Sequence, residues 1–279
     1  MNYLLYNEKS NNGKPLKVAN KFNKKYLKNQ EATFLSIYDI LNKEKDFCNS
    51  LSDTDIVYIF GGDGTFHEFL NRIYPLKVNF KIFAYACGRG NDLSRDYKKN
   101  KPFEITNLVN DLPVIKVNDK DEYVFINGVG MGVDSYVCDK QINNAKFGVK
   151  ESYFSVALKV LKKFVPYHLE LEIDGEVKHF DKVWFFVCNH GAYFGGGMRI
   201  TPKAKREDEF LDVCIVNNIK LWKLILIFPL VFFGLHTLFF KKSIKYIQCK
   251  HLKVKTFGCS VLQQDGEVFY DVNSIEVRR

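Results

Sequence analysis

The most constraining stretch of this sequence is an apolar run that ends in a glycine-rich loop. Residues 56–60 (IVYIF) are β-branched and aromatic, as is typical of a buried parallel strand, and GGDGT follows at 61–65. The glycines allow a sharp turn and a close approach of the backbone to a ligand. Thr65 and Glu68 have the spacing of a capping box, which predicts a helix that begins at Thr65, where the glycines end.

A strand, a glycine loop and a helix N-terminus together indicate an anion-binding site, because free N–H groups and the helix dipole point to the same place. Asp63 lies inside this site. A carboxylate beside phosphates is unfavourable unless a cation or a proton-transfer role accounts for it. The alternative is a tight strand-to-helix turn with an exposed aspartate.

Strands and helices alternate through the first part of the chain. We predict strands at 3–6, 32–37, 56–60 and 81–87, and helices at 16–28, 41–51 and from 65 onwards. This alternation predicts a parallel, doubly wound sheet in an α/β domain that covers residues 1–112. A second glycine loop, 88–92 (GRGND), follows the last of these strands. Ligands bind at the carboxyl ends of such strands, so the two loops are expected to face one pocket.

From Pro113 onwards the pattern changes to that of a mainly antiparallel β domain, which we assign to residues 113–279. Predicted strands lie at 114–117, 123–127, 167–173, 178–179, 183–189, 211–216, 247–256 and 275–277, with one helix at about 150–164. Asp174-Gly175 predicts a hairpin turn. Residues 221–240 are apolar for the length of a membrane span, but Lys223, Pro229 and His236 favour a buried helix pair or an interfacial segment over a span.

The charge balance narrows the classes of partner. A net charge of +9 suits nucleic acid, an anionic membrane or a phosphorylated substrate. No zinc-finger spacing or aromatic RNA-binding motif is present in the sequence, so nucleic acid is not expected as a partner. Seven cysteines without a CxxC pair or a secretory signal favour a reducing cytoplasm.

Six ordered blocks of sequence resemble the bacterial diacylglycerol kinase and lipid kinase family, which is related to sphingosine kinases and NAD kinases. They are GGDGT at 61–65, ACGRGNDLSR at 86–95, FINGVGMGVD at 125–134, the Asn189…GGGM…Pro202-x-Ala204…Asp208 block, GLH at 234–236 and DGE at 265–267. Together they cover nearly the whole chain. The resemblance implies an α/β nucleotide domain, a C-terminal β-sandwich domain, and an active site in the cleft between them.

The resemblance also implies roles for individual residues. The nucleotide ATP would be bound by Asn7, Ser10, Ser36, Gly61, Gly62, Asp63, Gly64, Thr65, Gly88, Arg89, Asn91 and Asp92. Asp63 would act on Mg²⁺ and on the transferred phosphoryl group, and Glu267 would be the general base for the lipid hydroxyl. The simpler alternatives are a helix cap for Asp92 and a solvated side chain after a glycine turn for Glu267.

Two further sites follow from the same resemblance. Asp134 would contact the lipid headgroup, with a turn-capping aspartate as the alternative. A structural Mg²⁺ would be held by Asp208 and by the backbone carbonyls of Lys205 and Phe210, with Asp212 as an alternative ligand. This chain departs from the family pattern at Arg89, where the family has threonine, and at Glu209, where it has glycine.

The resulting expectation is an ATP- and Mg²⁺-dependent kinase of a membrane lipid. Diacylglycerol is the first candidate acceptor and a sphingoid base the second; the alternatives are an NAD kinase and a non-catalytic nucleotide- or lipid-binding regulator. We expect a cytoplasmic protein that associates peripherally with an anionic membrane through its basic patches and that can form a homodimer.

Overall fold

A computed structural model describes residues 1–28, 30–88, 90–97 and 101–279 of the 279-residue chain. The chain divides into two compact units, Met1–Leu112 and Pro113–Arg279, called here the N-terminal and the C-terminal unit. Each has its own sheet and its own hydrophobic core.

The N-terminal unit is built on a parallel sheet, as the alternating pattern predicted. Its strands are β1 (Asn2–Tyr6), β2 (Ala32–Ser36), β3 (Ile56–Gly61), β4 (Lys81–Ala86) and β5 (Phe103–Glu104), in the order β2-β1-β3-β4-β5. Only β5 runs antiparallel to its neighbour among these described strands. The chain goes from β1 outwards to β2 and returns to β3 on the other side of β1. The order therefore reverses between β1 and β3, at the position where doubly wound sheets bind ligands.

Helices of the N-terminal unit cover this sheet. They are a 3-10 turn (Ser10–Gly13), α1 (Lys14–Phe22), a π-helical turn (Asn23–Leu27), α2 (Glu44–Asn49), α3 (Asp63–Ile73), α4 (Asp92–Asp96) and α5 (Thr106–Asn110). Ala19 and Phe22 of α1 pack with Leu4 and Phe60 of the sheet in one buried cluster. The predicted helix at 41–51 is shorter than expected at both ends.

The predicted start of α3 is wrong by two residues. The helix begins at Asp63, and Gly62, in extended conformation, is its N-cap without a side-chain cap. The hydroxyl of Thr65 instead accepts a hydrogen bond from the Asn7 side chain (3.0 Å). The capping box fails because the glycine already supplies the cap geometry, which leaves Thr65 inside the first turn.

The C-terminal unit is a curled antiparallel sheet, which confirms the predicted fold class. Its strands are β6 (Val114–Val117), β7 (Asp121–Val124), β8 (Gly128–Gly132), β9 (Tyr167–Ile173), β10 (Glu176–Asn189), β11 (Leu211–Asn217), β12 (Ile244–Cys249), β13 (His251–Phe257), β14 (Leu262–Gln264), β15 (Glu267–Phe269) and β16 (Ser274–Arg278). The order is β15-β14-β8-β10-β9-β13-β16-β6-β7, and β11 pairs with both β10 and β12.

The two faces of this sheet bury different cores. On β11, Val213 and Ile215 point into the core enclosed by the sheet, while Cys214 and Val216 point to the face covered by helices. Those helices are α6 (Val133–Lys146), α7 (Tyr153–Lys163), α8 (Leu221–Val231) and α9 (His236–Phe239). Helix α6 and the glycine-rich strand β8 were not predicted as such.

Several predicted boundaries in this unit differ from the structure. The predicted strands 178–179 and 183–189 are one strand, β10, with a register shift between Phe180 and Val183. The predicted strand 247–256 is two strands, β12 and β13, and the strand predicted at 123–127 ends at Val124. The Asp174-Gly175 hairpin is confirmed: both residues have positive φ and join β9 to β10.

The apolar stretch 221–240 forms α8, a turn and α9. Among the described residues no helix combines the length and apolar character needed to cross a membrane. The spanning alternative is therefore wrong for this segment. Leu224 and Ile227 are buried, whereas Trp222, Leu226 and Phe233 are exposed.

Candidate functional site

The two glycine loops of the N-terminal unit touch each other at the carboxyl ends of β3 and β4. A Cβ placed on Gly88 would lie 2.6 Å from the Cα of Gly62, and one on Gly62 would lie 3.0 Å from the Cα of Gly88. The amide N–H of Cys87 donates to the carbonyl of Gly61 (2.6 Å). Two backbones can approach this closely only without side chains between them, so the glycines are required by packing.

Asp63 joins the two loops through its carboxylate. Its oxygens accept the backbone N–H groups of Asp92 (3.2 Å) and Leu93 (3.3 Å) at the start of α4. Asp63 therefore caps α4 from the neighbouring loop, a role for which the sequence contains no local signal.

The chain that follows β1 also meets the GGDGT loop. The Asn7 side chain follows β1, donates to Thr65, and accepts the N–H groups of Lys9 and Ser10 (both 3.1 Å). Thr65 donates its own N–H to the Gly62 carbonyl (2.9 Å). Ser36 is buried at the end of β2, paired in register with Tyr6, the residue before Asn7. The predicted residues after β1, β2 and β3 thus lie at one edge of the sheet.

The second loop is held in an unusual backbone conformation. Asn91 is left-handed (φ 54°), and its side chain donates to the Gly88 carbonyl (3.0 Å), while its buried Oδ1 has no partner among the described residues. Asp92 is buried, and its Oδ1 lies 3.8 Å from Nε of Arg95. Arg89, predicted as a nucleotide contact, lies outside the described residues.

The C-terminal unit contains a narrow apolar pocket with a cavity volume of about 40 Å³. It is lined by β10 and β11 and by side chains of α6, α7 and α8, and the titratable lining groups are Asp134, Tyr153, Cys214 and His236. Asp134 is at the start of α6, and its burial raises the pKa of this carboxyl to about 7, with the Gln263 amide acting in the opposite direction. The pocket thus combines apolar walls with one carboxyl group that titrates near neutrality.

Two of the predicted site residues, Asp134 and Glu267, lie near the same thiol. Burial raises the pKa of Cys138 to about 12, and the negative charges of Asp134, Glu267 and Asp139 raise it further. The Cys138 thiol donates to the Gly266 carbonyl (3.3 Å), beside the exposed Glu267. The fold therefore brings the predicted headgroup residue and the predicted base to one side of α6.

The DGE hairpin that carries Glu267 is fixed by its aspartate. The Asp265 carboxylate accepts the N–H groups of Ile126 (2.6 Å), Asn127 (2.8 Å) and Gly128 (3.0 Å). The resemblance singled out Glu267, and no separate role was predicted for Asp265. A second DGE at 174–176 forms a hairpin with the same left-handed aspartate, but Asp174 is exposed. The string alone therefore does not distinguish an anchoring turn from a solvated one.

Residues 126–128, whose N–H groups Asp265 accepts, are also held by other buried polar groups. Arg206 donates to the Ile126 carbonyl and to Asn127 Oδ1, and the backbone N–H of His190 donates to the Asn127 carbonyl (2.9 Å). Burial lowers the pKa of His190 well below its usual value, and the Arg206 charge adds to this effect. A neutral His190 avoids a second buried cation beside Arg206.

The predicted structural metal ligands lie in one turn. The Lys205 carbonyl accepts the N–H of Asp208 (3.3 Å), and Asp208 Oδ1 accepts the N–H of Phe210 (3.1 Å). The Arg279 guanidinium donates to the Asp208 carbonyl (3.0 Å). The described residues contain no cluster of three or more His, Cys, Asp or Glu that could hold a metal ion. One carboxylate with carbonyl oxygens still fits Mg²⁺, which accepts oxygen ligands and keeps several waters.

Asp212, the alternative ligand, belongs to strand β11. It is buried and accepts a hydrogen bond from the Tyr246 hydroxyl, and burial raises the pKa of this carboxyl to about 6. The nearby charge of Asp208 acts in the same direction. The alternation of side chains along β11 thus explains the position of Asp212.

The GLH block anchors the turn between α8 and α9. A Cβ on Gly234 would lie 2.8 Å from Cβ of Pro202, and His236 is buried with its Nε2 3.0 Å from the Ile200 carbonyl. Burial lowers the pKa of His236, so the neutral ring donates this hydrogen bond. Two of the family-like blocks, Pro202-x-Ala204 and GLH, are thus packed together.

Known proteins share both halves of the chain. The diacylglycerol kinase catalytic domain matches residues 2–116, and the YegS C-terminal NAD kinase beta sandwich-like domain matches residues 127–276, more than half of the chain. YtlR of Bacillus subtilis, named as a candidate lipid kinase, is 25% identical over 75% of this chain and 73% of its own length. A similarly named protein of Staphylococcus epidermidis is 30% identical over 58% of this chain and 55% of its own.

The fold also resembles a solved structure. The crystal structure of a diacylglycerol kinase from Bacillus anthracis str. Sterne superposes with a TM-score of 0.68 at 20% identity, covering 100% of this chain and 94% of that one. At this identity the likeness concerns the fold alone. The domain matches decide the family: the chain belongs to the bacterial lipid kinase family with a diacylglycerol kinase catalytic domain and a YegS-type C-terminal domain.

Proposed function

We propose that this protein is an ATP- and Mg²⁺-dependent lipid kinase, which transfers the γ-phosphoryl group of ATP to a hydroxyl of a membrane lipid. Diacylglycerol, which would give phosphatidic acid, is the first acceptor to test, and a sphingoid base the second. The observation that carries the choice of acceptor is the apolar pocket of the C-terminal unit with Asp134 on its wall. Such a lining suits acyl chains and offers little to a dinucleotide.

The nucleotide half of the proposal rests on the sheet edge of the N-terminal unit. The phosphates would bind at the start of α3, beside the contact between Gly62 and Gly88. The N-terminus of this eleven-residue helix favours anions, and glycines without side chains let a phosphate come close to the backbone amides. Asn7 and Thr65 would fix the residues after β1 against the GGDGT loop, with Ser10, Ser36 and Asn91 around the nucleotide.

The carboxylates of Asp63 and Asp92 would hold the catalytic Mg²⁺ together with the ATP phosphates, Asp63 through water. When bound, this ion neutralises the charge that develops on the phosphoryl oxygens. Two carboxylates on the two adjoining loops fit the usual requirement of Mg²⁺ for one or two protein carboxylates plus phosphates. Asp208, with the carbonyls of Lys205 and Phe210, would hold a second, structural ion.

The acceptor half uses the C-terminal unit. Asp134 would accept a hydrogen bond from the lipid headgroup, and Glu267 would take the proton of the attacking hydroxyl as its oxygen bonds to the γ-phosphorus and ADP leaves. A hydroxyl is a poor nucleophile, and a placed carboxylate typically accelerates such a step by about 10² to 10⁴. The three backbone bonds of Asp265 hold the turn that carries Glu267.

The test is transfer of label from [γ-³²P]ATP to lipids in mixed micelles. The panel contains diacylglycerol, monoacylglycerol, a sphingoid base and ceramide, with NAD as a soluble acceptor and with or without Mg²⁺. We expect a labelled lipid that depends on Mg²⁺ and on acyl length. Labelled NADP would reassign the protein as an NAD kinase, and calorimetric ATP binding without labelled product would indicate a non-catalytic regulator.

A further inference from the structure

Helix α8 is apolar on both of its faces. Leu224, Ile227, Phe228 and Val231 line the pocket of the C-terminal unit, at the spacing of one helical face. The exposed apolar side chains of α8, of the turn that follows it and of α9 lie at the protein surface and do not line that pocket. We call this surface the outer face; its most exposed members are Trp222, Leu226, Phe232, Phe233, Leu238 and Phe239.

The outer face is unusual in the size of its exposed side chains. Phe233 is 70% exposed, Phe239 67% and Leu226 63%. The six members of the outer face lie within eighteen consecutive residues, 222–239. A helix that is apolar all round is normally buried in a core or in a membrane. With eleven residues, α8 is only about 16 Å long, so it cannot cross a hydrocarbon core of about 30 Å. It can lie along the surface of a bilayer.

The charged residues in the segment of chain that carries the outer face are of one sign. Residues 213–264 contain eight lysines and no aspartate or glutamate. Lys220 precedes α8, and Lys223 lies in its first turn. Lys241 and Lys242 follow α9, and all four lysines are exposed. Lysines beside exposed aromatic side chains are typical of segments that lie in the interface of an anionic membrane.

We propose that the outer face of α8 and α9 is a docking surface for an anionic lipid bilayer. Its aromatic and leucine side chains enter the acyl boundary while the flanking lysines contact lipid phosphates. This inference does not depend on the proposed kinase reaction. Where that function holds, the same helix has one face on the bilayer and the other on the pocket, so acyl chains would pass from lipid to pocket along α8.

Charge argues against a second copy of the chain as the occupant. A two-fold symmetric dimer would bring the outer face onto its own equivalent. The lysines that rim it would then meet like charges, and no acidic residue of 213–264 is available to compensate them. An anionic lipid surface is complementary to both the apolar side chains and their rim.

The two tryptophans of the chain provide a built-in reporter. Trp222 is exposed on the outer face, whereas Trp184 is buried and donates its indole N–H to the Ile219 carbonyl (3.1 Å). Addition of vesicles of phosphatidylglycerol and phosphatidylcholine to the full chain should shift tryptophan emission to the blue. Brominated lipids should quench it, and Trp222→Phe should abolish both changes. An unchanged emission at saturating vesicles would overturn the proposal.

Sedimentation with the same vesicles tests the outer face directly. Phe233→Glu should lower the partition coefficient about tenfold or more, because a charge replaces a large apolar group at the interface. The matched control is Phe257→Glu, an equally drastic change at a 56% exposed phenylalanine at the end of β13. Phe239→Glu repeats the test, and near-UV circular dichroism identifies any variant that has lost its fold.

The vesicle-binding results of the three glutamate variants decide for or against docking by the outer face. Selective loss of vesicle binding in Phe233→Glu and Phe239→Glu, with Phe257→Glu within about twofold of the natural chain, supports docking by the outer face. Equal loss in all three variants overturns it. A dimer in light scattering that Phe233→Glu dissociates, without a change in vesicle binding, would also overturn it and assign the face to a second copy. None of these measurements uses ATP, so they remain valid if the kinase assay fails.

Discussion

The carboxyl group of Asp134 is buried at the pocket wall, and its pKa of about 7 in the folded chain compares with an ordinary value of 3.8. As pH rises above 3.8, the unfolded chain ionises this group first, so stability falls until the folded pKa is passed. The loss between about pH 4 and pH 8 should be on the order of 4 kcal/mol. Asp134→Asn should remove most of this dependence.

Urea unfolding at several pH values, followed by tryptophan emission, measures this effect. Both tryptophans belong to the C-terminal unit, as Asp134 does, so the signal reports the relevant unit. Asp119→Asn, at an exposed turn of the same unit, is the matched control and should keep the natural pH dependence. A pH dependence that survives in Asp134→Asn would refute the assignment.

Glu267 is the residue on which the proposed proton transfer depends. Glu267→Gln keeps the size of the side chain and removes its basicity, so turnover in the micelle assay should fall about 10² fold or more. The KM for ATP and the stability should stay near their natural values, since Glu267 is exposed. Glu176→Gln is the control, because it makes the same change in the other DGE hairpin. Equal turnover in the two variants would refute the role of Glu267 as the base.

At the scale of secondary-structure elements, the β14–β15 hairpin depends on Asp265. Asp265→Asn retains a residue that tolerates the left-handed backbone (φ 48°), but it weakens three hydrogen bonds to a charged acceptor. We expect the free energy of unfolding of the C-terminal unit to fall by about 2 to 4 kcal/mol. Asp174→Asn, at the same hairpin position but exposed, should change it by less than about 0.5 kcal/mol. Similar losses in the two variants would show that the backbone bonds of Asp265 contribute little.

The contact between the two glycine loops makes a second prediction at this scale. Gly88→Ala would push a methyl group into the backbone of Gly62, and we expect a loss of about 1 to 3 kcal/mol in stability of the N-terminal unit. Gly64→Ala, in the first turn of α3 with no atom within 4 Å of its new Cβ, should gain up to about 1 kcal/mol. Thermal unfolding followed by circular dichroism compares them, and a stable Gly88→Ala would contradict the observed approach.

These elements show what the sequence could and could not predict. The apolar runs at β1, β3, β4 and β11 were found because their side chains are buried in regular patterns. Strand β8 was not identified as a strand, because three of its five residues are glycine. A Cβ at Gly128 would lie 1.9 Å from Asn189 Oδ1, so that composition is required by packing across the sheet, which local sequence does not reveal.

The candidate site was predictable to the extent that its motifs are local. Both glycine loops follow the predicted strands, and the residues after β1 and β3 converge through the Asn7–Thr65 bond. The bonds of Asp63 to α4 and of Asp265 to residues 126–128 span long sequence separations. They depend on tertiary packing and carry no local pattern.

For the whole molecule, the proposed docking predicts that the net charge of +9 and the outer face make separable contributions to membrane binding. Attraction of exposed lysines to anionic lipid is screened within about 8 Å at physiological salt, whereas apolar insertion is not screened. Binding to anionic vesicles should therefore fall as salt rises and level off at a residual value. Phe233→Glu should lower that residual value and leave the salt-dependent part.

The position of the charge can be tested with two lysine pairs. Lys241→Gln with Lys242→Gln removes two charges beside the outer face, and Lys24→Gln with Lys25→Gln removes two from the N-terminal unit. At low salt the first pair should weaken vesicle binding by about 2 kcal/mol, near 1 kcal/mol for each lysine at the surface, and flatten its salt dependence. The second pair should change it by much less. Only a fixed docking orientation brings one pair of lysines to the lipid phosphates and leaves the other pair in solvent. Equal losses would therefore mean that the charge of the whole chain attracts the membrane, irrespective of the position of each lysine.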